Sequence, residues 1–165
     1  MPAPKSRVLP RNFHVRRATL RDITVLVEHR RRMWEDIRKD PPTTLEKGSR
    51  YYRQWLRTRL QDKRIVGFIV IGPDHHPVAS GLAMLYELDP PPWGGLHIVP
   101  HLISVYTEPS YRRKGFASAV VKSLVQWARS EGYVGVTLSP AKNARRLYAQ
   151  LGFKRSWTMG RSSSK

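Results

Sequence analysis

Residues 105–117 run Val105-Tyr106-Thr107-Glu108-Pro109-Ser110-Tyr111-Arg112-Arg113-Lys114-Gly115-Phe116-Ala117, an apolar strand end, a tight basic turn and the start of a periodic apolar segment. The first turn of a helix presents N–H groups without intrahelical acceptors and carries the positive end of the helix dipole. Gly115 allows the close approach and the turn that aim such donors at an anion, while Arg112, Arg113 and Lys114 add positive charge at the same point. The chemistry this suits is binding of a phosphate or pyrophosphate. A solvated basic face is the plainer alternative, and the Walker and dinucleotide-binding glycine patterns are both absent.

The elements that hold such a turn follow from the periodicity on either side of it. Ile65 to Ile71 is a β-branched run, Gly72-Pro73-Asp74-His75-His76-Pro77 a turn, and Val78 to Tyr86 a second strand, which together predict an antiparallel hairpin. Leu88 to Gly95, with Pro90-Pro91-Pro92, reads as a loop, and Leu96 to Thr107 as a long strand that Pro100 makes irregular at its start or places at an edge. After Gly115, the residues Phe116, Ala119, Val120, Leu124, Trp127 and Ala128 share one helical face, closed by Glu131-Gly132. Tyr133 to Leu138 reads as a short strand, Ala141 to Leu151 as a short helix and Phe153 to Met159 as a last strand.

Upstream, Phe13 to Arg17 alternates and can open the sheet. Thr19-Leu20-Arg21-Asp22 offers a capping box for a helix over 20–38, and Thr43-Thr44-Leu45-Glu46 offers another, after Pro41-Pro42, for a helix to about Gln61. The resulting order, βααβββαβαβ, predicts an α/β (α+β) fold with a mixed, mostly antiparallel central sheet flanked by helices. At 165 residues the chain fits a single domain over 13–159, with flexible tails at 1–12 and 160–165.

The formal charge is +18, and it is segregated. Residues 1–64 hold 18 Lys/Arg against 7 Asp/Glu, residues 108–165 hold 12 against 2, and residues 65–107 hold none against 3. Such a balance attracts polyanions without choosing among nucleic acid, acidic lipid and phosphorylated ligands. With 0 cysteines, thiolate nucleophiles, cysteine zinc sites and disulfides are all excluded. His75-His76 has no third partner at metal-ligand spacing, so no metal site is expected. No apolar run is long enough for a membrane span, and the N-terminus lacks the apolar core of a signal peptide, so a cytoplasmic location is the expectation.

Two motifs together carry a resemblance. Arg112-x-x-Gly115-x-Ala117 after a strand, followed by Ala144-Arg145-Arg146-Leu147-Tyr148-Ala149-Gln150-Leu151-Gly152-Phe153, resembles the GCN5-related N-acetyltransferase family, with an intervening helix and strand in the family's order. The run Val105 to Pro109 is similar to a bacterial and archaeal acetyltransferase branch of that family. The likeness extends over roughly Phe13 to Met159, and its specificity comes from residues 103–153. It implies acetyl-CoA as acyl donor and an amine as acceptor. It further implies that the backbone of Val105, Tyr106 and Thr107 binds pantetheine, that the turn Arg112, Arg113, Lys114, Gly115, Phe116, Ala117 binds the pyrophosphate, and that Tyr148 protonates the departing thiolate. Asn143 lies where a polar residue meets the cofactor, although the family's asparagine commonly falls two residues earlier, at Ala141 here.

Acetylation of an amine also needs a base, and the segment free of lysine and arginine offers His101, Glu87 and His97. His101 lies eleven residues before Arg112, the offset at which histone-acetylating members of the family carry a glutamate, and shares strand parity with Val105 and Thr107 if no bulge intervenes. An imidazole suits proton removal near neutral pH. A satisfied strand histidine is the plainer alternative. Without cysteine, direct attack in a ternary complex is expected. The competing expectation is a basic nucleic-acid- or ribosome-associated protein on the same fold, motivated by Arg30-Arg31-Arg32 and Arg57-x-Arg59; a homodimer is open in either case.

Overall fold

The computed structural model describes residues 9–38 and 41–156. The β-branched run forms strand β2 (Ile65–Ile71), buried at six of its seven positions, and it pairs antiparallel with β1 (His14–Arg17) on one side and β3 (Pro77–Leu88) on the other. A strand buried on both faces reads as a continuous apolar run rather than an alternation, as the sequence here does. Strand β4 (His97–Thr107) pairs antiparallel with β3, and β5 (Thr137–Leu138) pairs parallel with β4, giving one sheet in the order β1-β2-β3-β4-β5.

Helices cover both faces. Helices α1 (Ile23–Arg38) and α2 (Pro42–Gln61) bury Ile23, Leu26, Val27, Tyr52 and Leu56 against Ile65, Ile69, Ile71 and Leu82. Helix α3 (Phe116–Ser130) buries Phe116, Val120, Val121, Leu124, Trp127 and Ala128 against Val66, Val70, Val78 and Ala83 on the opposite face. Helix α4 (Arg145–Gln150) adds Tyr148 to that second core. The expected mixed sheet flanked by helices is the observed fold, and among the described residues the element order is βααβββαβα.

Four details differ from the expectations. The Thr19 box forms as read, with the Thr19 hydroxyl accepting from Arg21 N–H and the Asp22 carboxylate accepting from Thr19 N–H at 2.8 Å, but it caps a short 3-10 turn (Leu20–Asp22) that leads into α1. The second box is not used: α2 begins at Pro42, where a proline's missing N–H is one the helix could not bond anyway. The strand expected over Tyr133 to Leu138 shrinks to Thr137–Leu138: Tyr133, Val136 and Leu138 pack on the α3 core, but Val134 is fully exposed and only the last two residues pair with β4. Residues 153–156 of the expected last strand are irregular, and the remainder, with residues 1–8 and the C-terminal tail, lies outside the described residues.

Pro100 pairs with β3 on one flank and has no strand partner on the other, since β5 pairs only with His101 and Leu102, which agrees with the edge expectation. It sits opposite Leu85, whose N–H donates to the Arg64 carbonyl on the β2 side, so the polar groups of this pair point outward and proline's missing donor costs β3 nothing. The irregularity falls farther along. Ser80 pairs with Tyr106 and Leu82 with Ile103, so Gly81 alone opposes Ser104 and Val105, and Ser104 takes a left-handed φ of 53°. This is a β-bulge, one extra residue that bends the strand. Gly81 is required there: a Cβ would lie 2.7 Å from Val120 Cγ1 and 3.2 Å from Val105 Cγ2.

Candidate active site

The bend at Ser104 opens the sheet. Strand β5 pairs with β4 only at His101 and Leu102, so residues 103–107 run on without a partner strand on that flank. A cleft of about 2060 Å³ occupies the gap, walled by α1 and α2 on one side, α3 and the α4 region on the other, and β4 between them. Val105, Tyr106, Thr107, Arg112, Arg113, Gly115, Phe116, Ala117, Asn143, Tyr148 and His101 all line it. Lys114 and Glu87 do not. The Lys114 ammonium donates to the Ser110 carbonyl at 2.9 Å, and Glu87 is exposed near the far end of β3, 4.0 Å from Arg64. His97 is likewise exposed, its Nδ1 3.4 Å from the Asp89 carbonyl.

The basic turn owes its shape to its backbone. Arg113 (φ 61°) and Gly115 (φ 94°) are both left-handed, and Gly115 caps α3 without a side chain to take its first amides. The first helical bond runs from Ala119 N–H to the Gly115 carbonyl, so the amides of Phe116, Ala117 and Ser118 precede it and are left for an external acceptor. Arg112 is turned inward: Nε donates to the Thr107 carbonyl at 3.0 Å, Nη2 donates to Asp36 at 2.5 Å, and the guanidinium lies over the Tyr106 ring. It braces the turn against α1 and the strand end, and the amides supply the cradle.

The bulge also separates the strand's side chains. His101 pairs with Met84 and Ile103 with Leu82, on the α1/α2 face, whereas Val105 packs with the α3 core. Tyr106 returns to the α1 side, its ring centroid 5.1 Å from that of His29. His101 and Val105 therefore face opposite ways, contrary to the parity expected for an unbroken strand. His101 Nδ1 shares a 2.8 Å hydrogen bond with Thr137 Oγ1, and its ring meets Tyr86 edge-on at 5.4 Å. Burial lowers its pKa from the ordinary histidine value. Tyr148, 9% exposed, is held in α4 with Phe153 edge-on at 5.7 Å, and burial raises its hydroxyl pKa.

Several residues of this region carry no signal in the sequence. His29, 3% exposed, shares a 2.8 Å hydrogen bond between Nδ1 and Ser80 Oγ, and its Nε2 lies 3.6 Å from Glu108. Desolvation lowers its pKa to about 4 despite the opposing pull of the Glu108 carboxylate. Ser80 is 51 positions away in the chain, a separation at which no spacing rule operates. Arg31 is held by Glu28 and Glu35, and Arg32 by Glu28 and Glu108. Two of the three consecutive arginines are thus committed to internal ion pairs, which removes most of the basic stripe they would present to a polyanion.

The geometry fits a CoA thioester. Free amides under Gly115 suit a pyrophosphate. The unpartnered flank of β4 suits an extended arm carrying amides. Thr107 Oγ1, buried without a hydrogen-bond partner, is a polar atom waiting beside that flank. The model of the Acetyltransferase (GNAT) family matches residues 23–153, and the chain belongs to that family. Members use acetyl-CoA as acyl donor. Similar solved structures include a GCN5-related N-acetyltransferase from Ralstonia eutropha JMP134 (22% identity, TM-score 0.80, 91% of this chain and 97% of that one). Another is a predicted acetyltransferase with acetyl-CoA from Clostridium acetobutylicum (21%, 0.80, 92% and 96%). A third is glucosamine-6-phosphate N-acetyltransferase from Arabidopsis thaliana (18%, 0.66, 92% and 99%). Among curated proteins none matches the sequence. Among the described residues no helix is long and apolar enough to cross a membrane, and no group of three or more candidate ligands could hold a metal ion.

Proposed function

We propose that the protein is an acetyl-CoA-dependent N-acetyltransferase that acylates a primary amine by direct attack in a ternary complex. The observation that carries this reading is the end of β4–β5 pairing after Leu102, which leaves residues 103–107 unpartnered along a cleft that His101 and Tyr148 also line. The thioester supplies the acetyl group. The backbone of Val105, Tyr106 and Thr107 holds the arm, the amides of Phe116 and Ala117 hold the pyrophosphate, with Arg112, Arg113, Lys114 and Gly115 shaping the turn, and Asn143 contacts the arm from the far wall.

His101, neutral because burial disfavours its charged form, takes the proton released as the amine nitrogen bonds to the acetyl carbon. Thr137 orients its ring through Nδ1, leaving Nε2 for the proton. An N–H of the β4 flank near Val105 or Tyr106 polarises the carbonyl. As the carbon–sulfur bond breaks, the electron pair goes to sulfur and Tyr148 donates its proton there. A hydroxyl whose pKa is raised stays protonated until the thiolate forms.

The experiment is thiol release with acetyl-CoA and a panel of amines. The chain contributes no thiol background, since it has 0 cysteines. The reading predicts a stabilising thermal shift with acetyl-CoA and amine-dependent thiol release. It also predicts that Tyr148→Phe lowers kcat roughly 10- to 100-fold while KM for acetyl-CoA holds. An acetylated enzyme trapped without acceptor would overturn direct attack, and no thermal shift would overturn the reading itself.

A further inference from the structure

Arg30 is the arginine of the cleft that differs from its neighbours. It lines the wall formed by α1 and α2, is half-buried, and among the described residues has no carboxylate within salt-bridge distance. Its guanidinium stacks 4.0 Å from the Tyr52 ring centroid and 5.8 Å from that of Trp34. Stacking covers the face of a guanidinium and leaves its edge, where the N–H donors lie, to water or a ligand in the cleft. Burial disfavours its charge, lowering its pKa.

A polar atom beside it is unsatisfied. Tyr52 is 6% exposed, its hydroxyl is buried without a hydrogen-bond partner, and burial raises its pKa. Around this pair the wall is aromatic and apolar, built by Met33, Trp34, Tyr51 and Trp55. Among the described residues the single acidic one lining the cleft, Asp36, is engaged by Arg112. A second ammonium group therefore finds no counter-charge here, whereas an anion finds an edge of free donors.

We propose that the acceptor is an amine that also carries a carboxylate and an aromatic or apolar body, such as an apolar amino acid or short peptide, with the carboxylate paired to the Arg30 guanidinium edge. The body packs on Trp34, Tyr51 and Trp55, and the amine is delivered toward His101. This rests on the acetyltransferase reading and names the substrate class for that site. Polyamines and aminoglycosides, which carry several ammonium groups, are excluded by the same charge balance.

The test measures kcat/KM for phenylalanine, tryptophan and their dipeptides against the corresponding amides, phenethylamine, tryptamine, spermidine and kanamycin. The expected preference for acid over amide is about tenfold to a hundredfold, the range of a charge-assisted hydrogen bond. Arg30→Gln brings that ratio toward one and leaves the acetyl-CoA thermal shift in place. Because the ratio compares two substrates on one protein, a general loss of stability does not mimic it. Equal use of acid and amide, better use of spermidine, or a ratio unchanged in Arg30→Gln overturns the proposal alone. Acetyl-CoA binding with no carboxylate-bearing amine acetylated also overturns it alone. Absence of any acetyl-CoA shift overturns it together with the acetyltransferase reading.

Discussion

Arg32 in α1 donates from one guanidinium nitrogen to both carboxylate oxygens of Glu108, at 2.7 and 2.9 Å, across 76 positions of sequence. Glu108 is the residue after β4 ends, and its own N–H donates to the Val78 carbonyl at 2.9 Å. The pair thus fastens the helix that walls the acceptor side to the strand end from which the basic turn departs.

Glu108→Gln keeps the shape and removes the charge, leaving Arg32 and His29 without it. Because the carboxylate is mostly buried while Arg32 is 42% exposed, solvent screens part of the loss. The expected cost is about 1–2 kcal/mol, read as a lowered urea midpoint at constant m, with a raised KM for acetyl-CoA because the turn loses its anchor. A midpoint equal to that of the parent protein would show the pair contributes nothing.

His29 makes stability depend on pH. Its folded pKa, about 4, lies below the ordinary 6.5, so between those values the unfolded chain binds the proton and the folded one does not. Stability is therefore full above about 6.5 and falls as pH drops toward 4, by up to roughly 3 kcal/mol. Overlapping its lower end, Glu28, whose carboxylate is held near 2 chiefly by Arg31, adds a loss of its own from about 4.5 downward. Melting temperatures across pH 4–7 check this, and His29→Gln should flatten the slope between 4.5 and 6.5 whatever its effect on the absolute value.

His101→Asn should lower kcat/KM about 10²- to 10³-fold with acetyl-CoA binding intact. In the parent protein the acid limb of the kcat/KM profile should lie below the ordinary histidine value, because burial lowers the His101 pKa, and the variant should lose that limb. An acid limb that persists in His101→Asn assigns the base elsewhere.

Gly81→Ala places a methyl group 2.7 Å from Val120 and 3.2 Å from Val105, in a core with no slack. The expected loss is about 1–3 kcal/mol in denaturant unfolding. A neutral substitution would mean that α3 can move away from β3 without cost.

What could be read in the sequence was what depends on near neighbours. The apolar spacing of Phe116, Val120, Leu124 and Trp127 fixes both the helix and its buried face, and the run Ile65 to Ile71 announces a strand covered on both sides. The turn with its two left-handed residues was visible as Gly115 among basic residues, although Arg113 shares that conformation without any glycine to mark it. Ser104 was invisible for the same reason, and with it the side to which Val105 points. The Ser80, His29 and Glu108 contacts join three elements, and no local spacing encodes them. Glu87 and His97 stood beside His101 as candidate bases because all three lie in the segment without lysine or arginine, yet of the three only His101, next to where β5 pairing ends, lines the cleft.

Ser104 is one residue more than a flat strand requires. On either side of it the alternation is continuous, with Leu102 on the α3 side and Ile103 on the α1 side, then Val105 on the α3 side and Tyr106 on the α1 side. A chain lacking that single codon would keep each of these side chains on its present face and lose only the bend. Curvature and core composition are in this sense separately heritable, so that one in-frame deletion at Ser104 should close the sheet over the cleft while leaving the packing of both helical layers in register.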